Sequence, residues 1–93
     1  MNLTLTQIEK LPQVATSRIR ELQWGIDWWK KCYGEAALHE RIAWDAYNDS
    51  IDNNEPKEQR DTLFTVARMF EENRKAAYHQ WQECKRLYLD LLN

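Results

Sequence analysis

Apolar residues recur at helical spacing along two stretches of nearly equal length. In both stretches the steps alternate between four and three residues, as they do in coiled coils. The first contains Ala15, Ile19, Leu22, Ile26, Trp29, Tyr33, Ala36, Glu40, Ala43 and Tyr47. The second contains Leu63, Ala67, Phe70, Arg74, Ala77, Trp81, Cys84, Tyr88 and Leu91. The pattern predicts an all-α fold, an antiparallel hairpin of two long helices that meet along these positions, which we call the seam.

The stretch between the two repeats, Asn48 to Pro56, is rich in Asn, Asp and Ser and ends in Glu-Pro. Such residues favour turns. We therefore expect long helices at about residues 13–49 and 55–92, joined by a turn at about residues 50–54. Asn54 is a suitable N-cap for the second long helix, with Pro56 in its first turn. The whole chain, residues 1–93, is expected to form one domain.

A short helix is expected before the hairpin, at about residues 6–11. Thr6 and Glu9 have the spacing of a capping box, and Pro12 disfavours continuation of a helix through it. The apolar residues of this region would form a small flap over the leucines near the end of the second long helix. They are Leu3, Leu5, Ile8 and Leu11.

One charged residue interrupts each apolar repeat, Glu40 in the first and Arg74 in the second. A turn centred near residues 52–53 would place Glu40 near Thr65 and Arg74 near Lys31. The sequence therefore predicts that Glu40 and Arg74 do not meet within one hairpin. Each would instead extend its charged group to solvent, or meet a charge on another chain.

Thirteen basic and fifteen acidic residues give a formal net charge of −2, which argues against a general polyanion binder. Cys32 and Cys84 lie far apart in the sequence, and we expect free thiols in a cytoplasmic protein. No run of about eighteen apolar residues occurs, so no membrane span is expected.

Four large apolar residues of the first long helix fall on the side away from the seam. They are Trp24, Trp28, Leu38 and Ile42. Exposed apolar patches mark interfaces, and tryptophan is enriched among the residues that dominate binding. Three arrangements would cover this side: a homodimer that forms a four-helix bundle, docking on a different protein, or packing under the N-terminal flap.

Charge is unevenly distributed along the predicted hairpin. Residues 36–65 contain seven acidic and three basic residues, so the turn end is acidic. We expect Asp45, Asp49, Asp52 and Glu55 to orient a partner. The opposite end carries Lys10, Arg18, Arg20, Lys30, Lys31, Lys85 and Arg86. Phosphate binding by that end is the alternative hypothesis, and its affinity would fall steeply with salt.

The sequence contains no catalytic, metal-binding or cofactor-binding motif that we recognise. His39 with Glu35 and His79 with Glu83 are spaced four residues apart, but neither pair has a further ligand at an obvious spacing. We therefore expect a small non-enzymatic protein-interaction module, an adaptor or inhibitor that docks on a larger protein. By analogy, phage and plasmid accessory proteins have this character. The alternative is a nucleic-acid-associated protein that uses the basic end.

Overall fold

The computed structural model describes residues 13–93, with side chains from Thr16 onward. Two long helices, α1 (Gln13–Asp52) and α2 (Lys57–Leu92), pack against each other as an antiparallel hairpin. The hairpin is a rod that measures 64 × 16 × 16 Å. The prediction of an all-α hairpin is therefore confirmed. The predicted short helix at residues 6–11 and the N-terminal flap lie outside the described residues.

The seam lies between the two helices as the spacing predicts. Every seam position from Ile19 to Tyr88 is buried or half-buried, whereas Leu91, near the end of α2, is 41% exposed. The buried apolar side chains are mostly small: Ile19, Leu22, Ala43, Ala67 and Ala77. Alanine at facing positions lets two helix backbones approach closely. The core is therefore thin, and it consists of two helices with no third layer over the described residues.

Aromatic rings cover one side of this alanine-rich seam in two clusters. Near the turn, Trp44, Tyr47 and Phe64 make edge contacts with ring centroids 5.5–5.8 Å apart. Nearer the middle of the rod, Tyr33, Tyr78 and Trp81 lie 5.6–6.0 Å apart. Aromatic side chains bury large areas, and their edge contacts add about 0.5–1.5 kcal/mol per pair. The rings thus supply contact area that the alanines do not.

The turn lies later in the chain than the sequence predicts, because α1 continues to Asp52 and α2 begins at Lys57. Ser50 belongs to α1 and is only 3% exposed. Its hydroxyl donates a hydrogen bond to the carbonyl of Tyr47 at 2.6 Å, and its own carbonyl accepts from the Glu55 amide at 2.9 Å. These bonds satisfy the polar groups of Ser50, so Ser50 remains in the helix although serine favours turns.

The prediction that Asn54 caps α2 is wrong. Asn54 instead has a positive φ of 54° and forms the bend itself, in a left-handed conformation that asparagine tolerates better than most residues. Pro56 occupies the N-cap position and makes no side-chain cap hydrogen bond. Glu58 lies in the first turn of α2, where a carboxylate is favoured by the helix dipole.

The later turn changes which residues face each other, and the prediction for Glu40 and Arg74 is wrong. The Arg74 Nε donates a hydrogen bond to the Glu40 carboxylate across the interface, which closes a salt bridge between α1 and α2. The two side chains are 30% and 14% exposed. The hydrogen bond from Arg74 to Glu40 raises the pKa of the Arg74 guanidinium. The two interruptions of the apolar repeat therefore neutralise each other within one hairpin.

Candidate interaction surface

A continuous row of exposed residues runs along α1 on the face opposite α2. Each member up to Asp49 follows a seam position by two residues, which is a rotation of about 200° around the helix, and Asp52 continues the same spacing. The row contains Trp24, Trp28, Lys31, Glu35, Leu38, Ile42, Asp45, Asp49 and Asp52, and all nine are exposed. We call this row the outer stripe. It contains seven of the eight residues that the sequence predicts to bind a partner.

The apolar members of the outer stripe are substantially exposed. Trp24 is 66% exposed, Trp28 45%, Leu38 52% and Ile42 56%. The indole rings of Trp24 and Trp28 stack nearly parallel, with centroids 5.6 Å apart and planes inclined by 6°. Leu38 and Ile42 form a second apolar site, which begins about 15 Å along the helix axis from Trp28. The stripe thus presents two apolar anchors on one side of the rod.

An open groove of about 650 Å³ lies beside Trp24, toward the end of the rod away from the turn. Leu22, Cys84 and Leu87 contribute to its lining, and Gly25 lies at the point where α1 comes close to α2. A side chain that contacts Trp24 from outside therefore finds an apolar depression next to it.

The acidic residues continue the outer stripe toward the turn, with one exception. Asp45, Asp49 and Asp52 are exposed, and none of the three makes an ion pair with another described residue. Glu55 lies in the turn, is half-buried, and is not part of the row. Three of the four predicted acidic residues are therefore aligned with the apolar anchors.

From Arg68 onward, the outward face of α2 differs from the outer stripe because its charges are paired on the helix itself, and its exposed apolar residues, such as Met69 and Leu89, do not form a row. Arg68 and Lys75 each bridge Glu71 and Glu72, and Arg86 bridges Glu83 and Asp90. The hydrogen bond from Arg86 lowers the pKa of the Glu83 carboxyl. Such i,i+3 and i,i+4 pairs are typical of a solvated helix face. The unpaired apolar row is thus a property of α1.

The basic end is also partly neutralised. Arg18 pairs with Glu21 at 3.4 Å, and Arg86 approaches Asp90 at 3.0 Å. The Lys85 ammonium lies 5.1 Å from the centroid of the Trp81 ring, a cation–π contact. These contacts occupy three of the six basic side chains there that the structure describes.

The structure adds Lys31 and Glu35 to the predicted surface. They occupy the centre of the outer stripe, between the two apolar anchors, and both are exposed. The signal that identifies them is spacing, because they continue the alternating steps of four and three residues that join Trp28 to Leu38.

Across residues 13–93, no group of three or more His, Cys, Asp or Glu side chains is arranged to hold a metal ion. His39 packs against Phe70 with ring centroids 5.2 Å apart. Neither described helix has a stretch apolar enough to cross a lipid bilayer. Comparison of the chain with protein-family models, with curated proteins and with solved structures gives no match.

Proposed function

We propose that this chain is a non-enzymatic protein-interaction module that docks on a larger protein through the outer stripe of α1, as an adaptor or an inhibitor. The observation that carries the proposal is the row of four exposed apolar side chains on the face opposite α2. The hairpin packs through its seam and does not use these side chains. A monomeric rod leaves them in water, and rows of this kind are typical of docking sites.

Trp24 and Trp28 are the principal anchors in this proposal. A tryptophan side chain buries up to about 250 Å², so covering the exposed 66% of Trp24 gives on the order of 4 kcal/mol before the costs of association. The two indoles already stack on each other, which limits the rotamer entropy that binding must remove. Preorganised aromatic anchors are typical of binding hot spots.

The aspartates beyond the anchors suit a partner surface that is basic next to an apolar pocket. Charges at the edge of an interface mainly accelerate encounter and fix orientation. Asp45, Asp49 and Asp52 fill this role here, with Glu55 contributing from the turn.

We further propose that the protein is cytoplasmic, since Cys32 and Cys84 are both free thiols.

The test is capture of partners from nuclease-treated lysate of the native host, with the wild-type chain and Trp24→Ala/Trp28→Ala compared side by side. We expect wild type to retain one larger protein in stoichiometric amount and the double variant to lose it, because both anchors are removed. Met69→Ala is the matched control, since Met69 is 61% exposed and lies on α2, off the outer stripe. It should capture the same protein as wild type.

Two results would contradict the proposal. One is capture of the same proteins by wild type and by the double variant. The other is loss of helical circular dichroism in the double variant, which would show that the tryptophans are needed for folding.

A gel shift with DNA and RNA at two salt concentrations examines the alternative that the basic end binds nucleic acid. The ion pairs of Arg18 and Arg86 do not favour that alternative.

A further inference from the structure

The central part of the outer stripe has the same pattern in both directions along α1. From Trp24 to Ile42 the steps between its members are four, three, four, three and four residues. In order, the members are Trp24, Trp28, Lys31, Glu35, Leu38 and Ile42. Reversing the direction exchanges apolar residues for apolar residues and Lys31 for Glu35. A surface with this property is complementary to an antiparallel copy of itself.

We propose that two copies of this chain associate antiparallel through their outer stripes, about a twofold axis midway between Lys31 and Glu35. In this register Trp24 packs on Ile42 of the second copy, Trp28 on its Leu38, and Lys31 pairs with its Glu35. Each contact occurs twice, as an isologous interface requires. The axis lies at the middle of α1 (Gln13–Asp52), so the two helices overlap along their full length.

A second charge pair supports the same symmetry. Asp27 and Arg41 are exposed and follow Trp24 and Leu38 by three residues each, so they flank the stripe on the same side. About the twofold axis, Arg41 of the second copy lies two residues, about 3 Å along the helix, from the level of Asp27, an offset that the long arginine side chain spans. Neither residue forms a salt bridge elsewhere in the part of the chain that the structure describes, and the same holds for Lys31 and Glu35. All four charges are therefore available to a second copy.

In the proposed register Asp45 comes level with Glu21 of the second copy, whose charge is paired with Arg18. Between Trp24 and Ile42, the other arrangements of two copies oppose like charges or leave charges against apolar side chains. A parallel pair places Lys31 against Lys31, Glu35 against Glu35, and each aspartate against its own copy. An antiparallel pair moved by seven residues places the tryptophans against aspartates in one direction, and against Lys31 and Glu35 in the other. The central Lys31–Glu35 pairs cost desolvation, but polar residues at such positions fix register in helical assemblies.

The proposed dimer is a flat layer of four helices in the order α2, α1, α1, α2. A square four-helix bundle would require each helix to have its two contact faces about a quarter-turn apart, whereas the outer stripe lies opposite the seam. The outside of the layer is then formed by the two α2 helices. From Arg68 onward their outward charges are paired on the helix itself, so this outer side does not repeat the charge pattern of the outer stripe.

The dimer uses the same four apolar side chains as the proposed docking on a larger protein, but it does not depend on that docking. The two complexes exclude each other at Trp24, Trp28, Leu38 and Ile42. Self-association would therefore protect the apolar row until a partner competes for it.

The test is analytical ultracentrifugation of the full chain over a range of concentrations. We expect the mass obtained for wild type to be twice the 11.3 kDa of a single chain. Lys31→Glu places carboxylates at both central positions, and Glu35→Lys places ammonium groups at both. Each variant alone should dissociate at least tenfold more readily than wild type, because like charges then meet across the axis. Lys30→Glu is the matched control: it makes the same charge change one residue away from the stripe, and it should dimerise like wild type.

An equimolar mixture of Lys31→Glu and Glu35→Lys gives the sharpest result. In a mixed dimer both central pairs become attractive, so the mixture should recover dimers that contain one copy of each, resolved by native mass spectrometry with a tag on one variant. Wild type that stays monomeric at every concentration would overturn the dimer, as would a mixture no more dimeric than its components. A monomeric wild type that still captures a larger protein through Trp24 and Trp28 would overturn the dimer and uphold the proposed function.

Discussion

At the scale of single residues, Glu40 and Arg74 form the salt bridge that joins the two helices within the described part of the chain, and the Gln23 amide adds a hydrogen bond to the Tyr88 hydroxyl. Both side chains are partly shielded from water, at 14% and 30% exposure, so removal of either leaves a poorly solvated charge. We expect Glu40→Ala or Arg74→Ala to lower the free energy of unfolding by about 1–2 kcal/mol. Urea denaturation of both single variants and the double variant measures this. Because the second substitution removes a charge that the first has stranded, the double variant should lose less than the sum, and simple additivity would contradict the pairing.

The pair between Glu83 and Arg86 provides a prediction about pH. The hydrogen bond from Arg86 lowers the pKa of Glu83 in the folded state below its ordinary value of 4.5. The folded state therefore binds the proton less tightly than the unfolded state does, and the stabilisation is present above the unfolded pKa and lost as pH falls through the lowered value. Thermal unfolding of wild type and Glu83→Gln should differ slightly at neutral pH and converge in acid. A difference that does not change with pH would contradict the assignment.

At the scale of the helix, the two glycines of α1 differ in what surrounds them. A Cβ added at Gly34 would meet nothing within 4 Å, whereas one added at Gly25 would lie 3.1 Å from the sulfur of Cys84. We expect Gly34→Ala to raise the free energy of unfolding by about 1 kcal/mol, the difference in helix propensity between alanine and glycine. Gly25→Ala should gain less or destabilise, because the Cys84 sulfur must shift to make room for the added Cβ.

Denaturation of both glycine variants in the same buffer makes the comparison, and Gly25→Ala combined with Cys84→Ala is the control. Removing the sulfur should restore the helix-propensity gain at position 25. Equal stabilisation by the two single substitutions would show that α2 does not crowd Gly25.

The two helices and the seam follow from the sequence because the spacing of apolar residues alone determines which side of a helix is buried. The register does not follow, since it depends on the residue at which α1 ends. Ser50 and Asp52 favour turns by residue type, yet the hydroxyl of Ser50 bonds to the carbonyl of Tyr47 and Ser50 is buried within the helix. This displacement of the turn brings Glu40 closer to Arg74, and the long arginine side chain spans the remaining distance.

The candidate surface, too, is only partly predictable from the sequence. Its tryptophans and aspartates could be selected from the sequence, since large apolar residues opposite a seam are conspicuous and so is a run of aspartates. Lys31 and Glu35 have the same spacing in the sequence, but spacing alone does not select them, because a charged residue on the outside of a helix has an ordinary explanation as a solvated side chain. Their position in one straight row with the anchors becomes informative once the bounds of α1 are known.

At the scale of the whole molecule, the rod separates its roles by face. One face of α1 packs on α2, the opposite face is the outer stripe, and the outward face of α2 carries intrahelical ion pairs from Arg68 onward. Substitutions on the outer stripe should therefore change association and leave the hairpin folded, whereas substitutions in the seam should change folding first. This separation makes the capture and ultracentrifugation experiments interpretable.

The thin core has a consequence for how the molecule opens. The described residues form no third layer. Each stretch of their seam is therefore stabilised by the stretches next to it, so the stability is distributed in one dimension along the rod, as in repeat proteins. Opening can therefore start at the termini and advance toward the turn, where Trp44, Tyr47 and Phe64 hold the helices together. The tryptophan anchors lie on the part that opens early and the aspartates on the part that opens last. A partner that first contacts the acidic end thus binds the half of the rod that opens last.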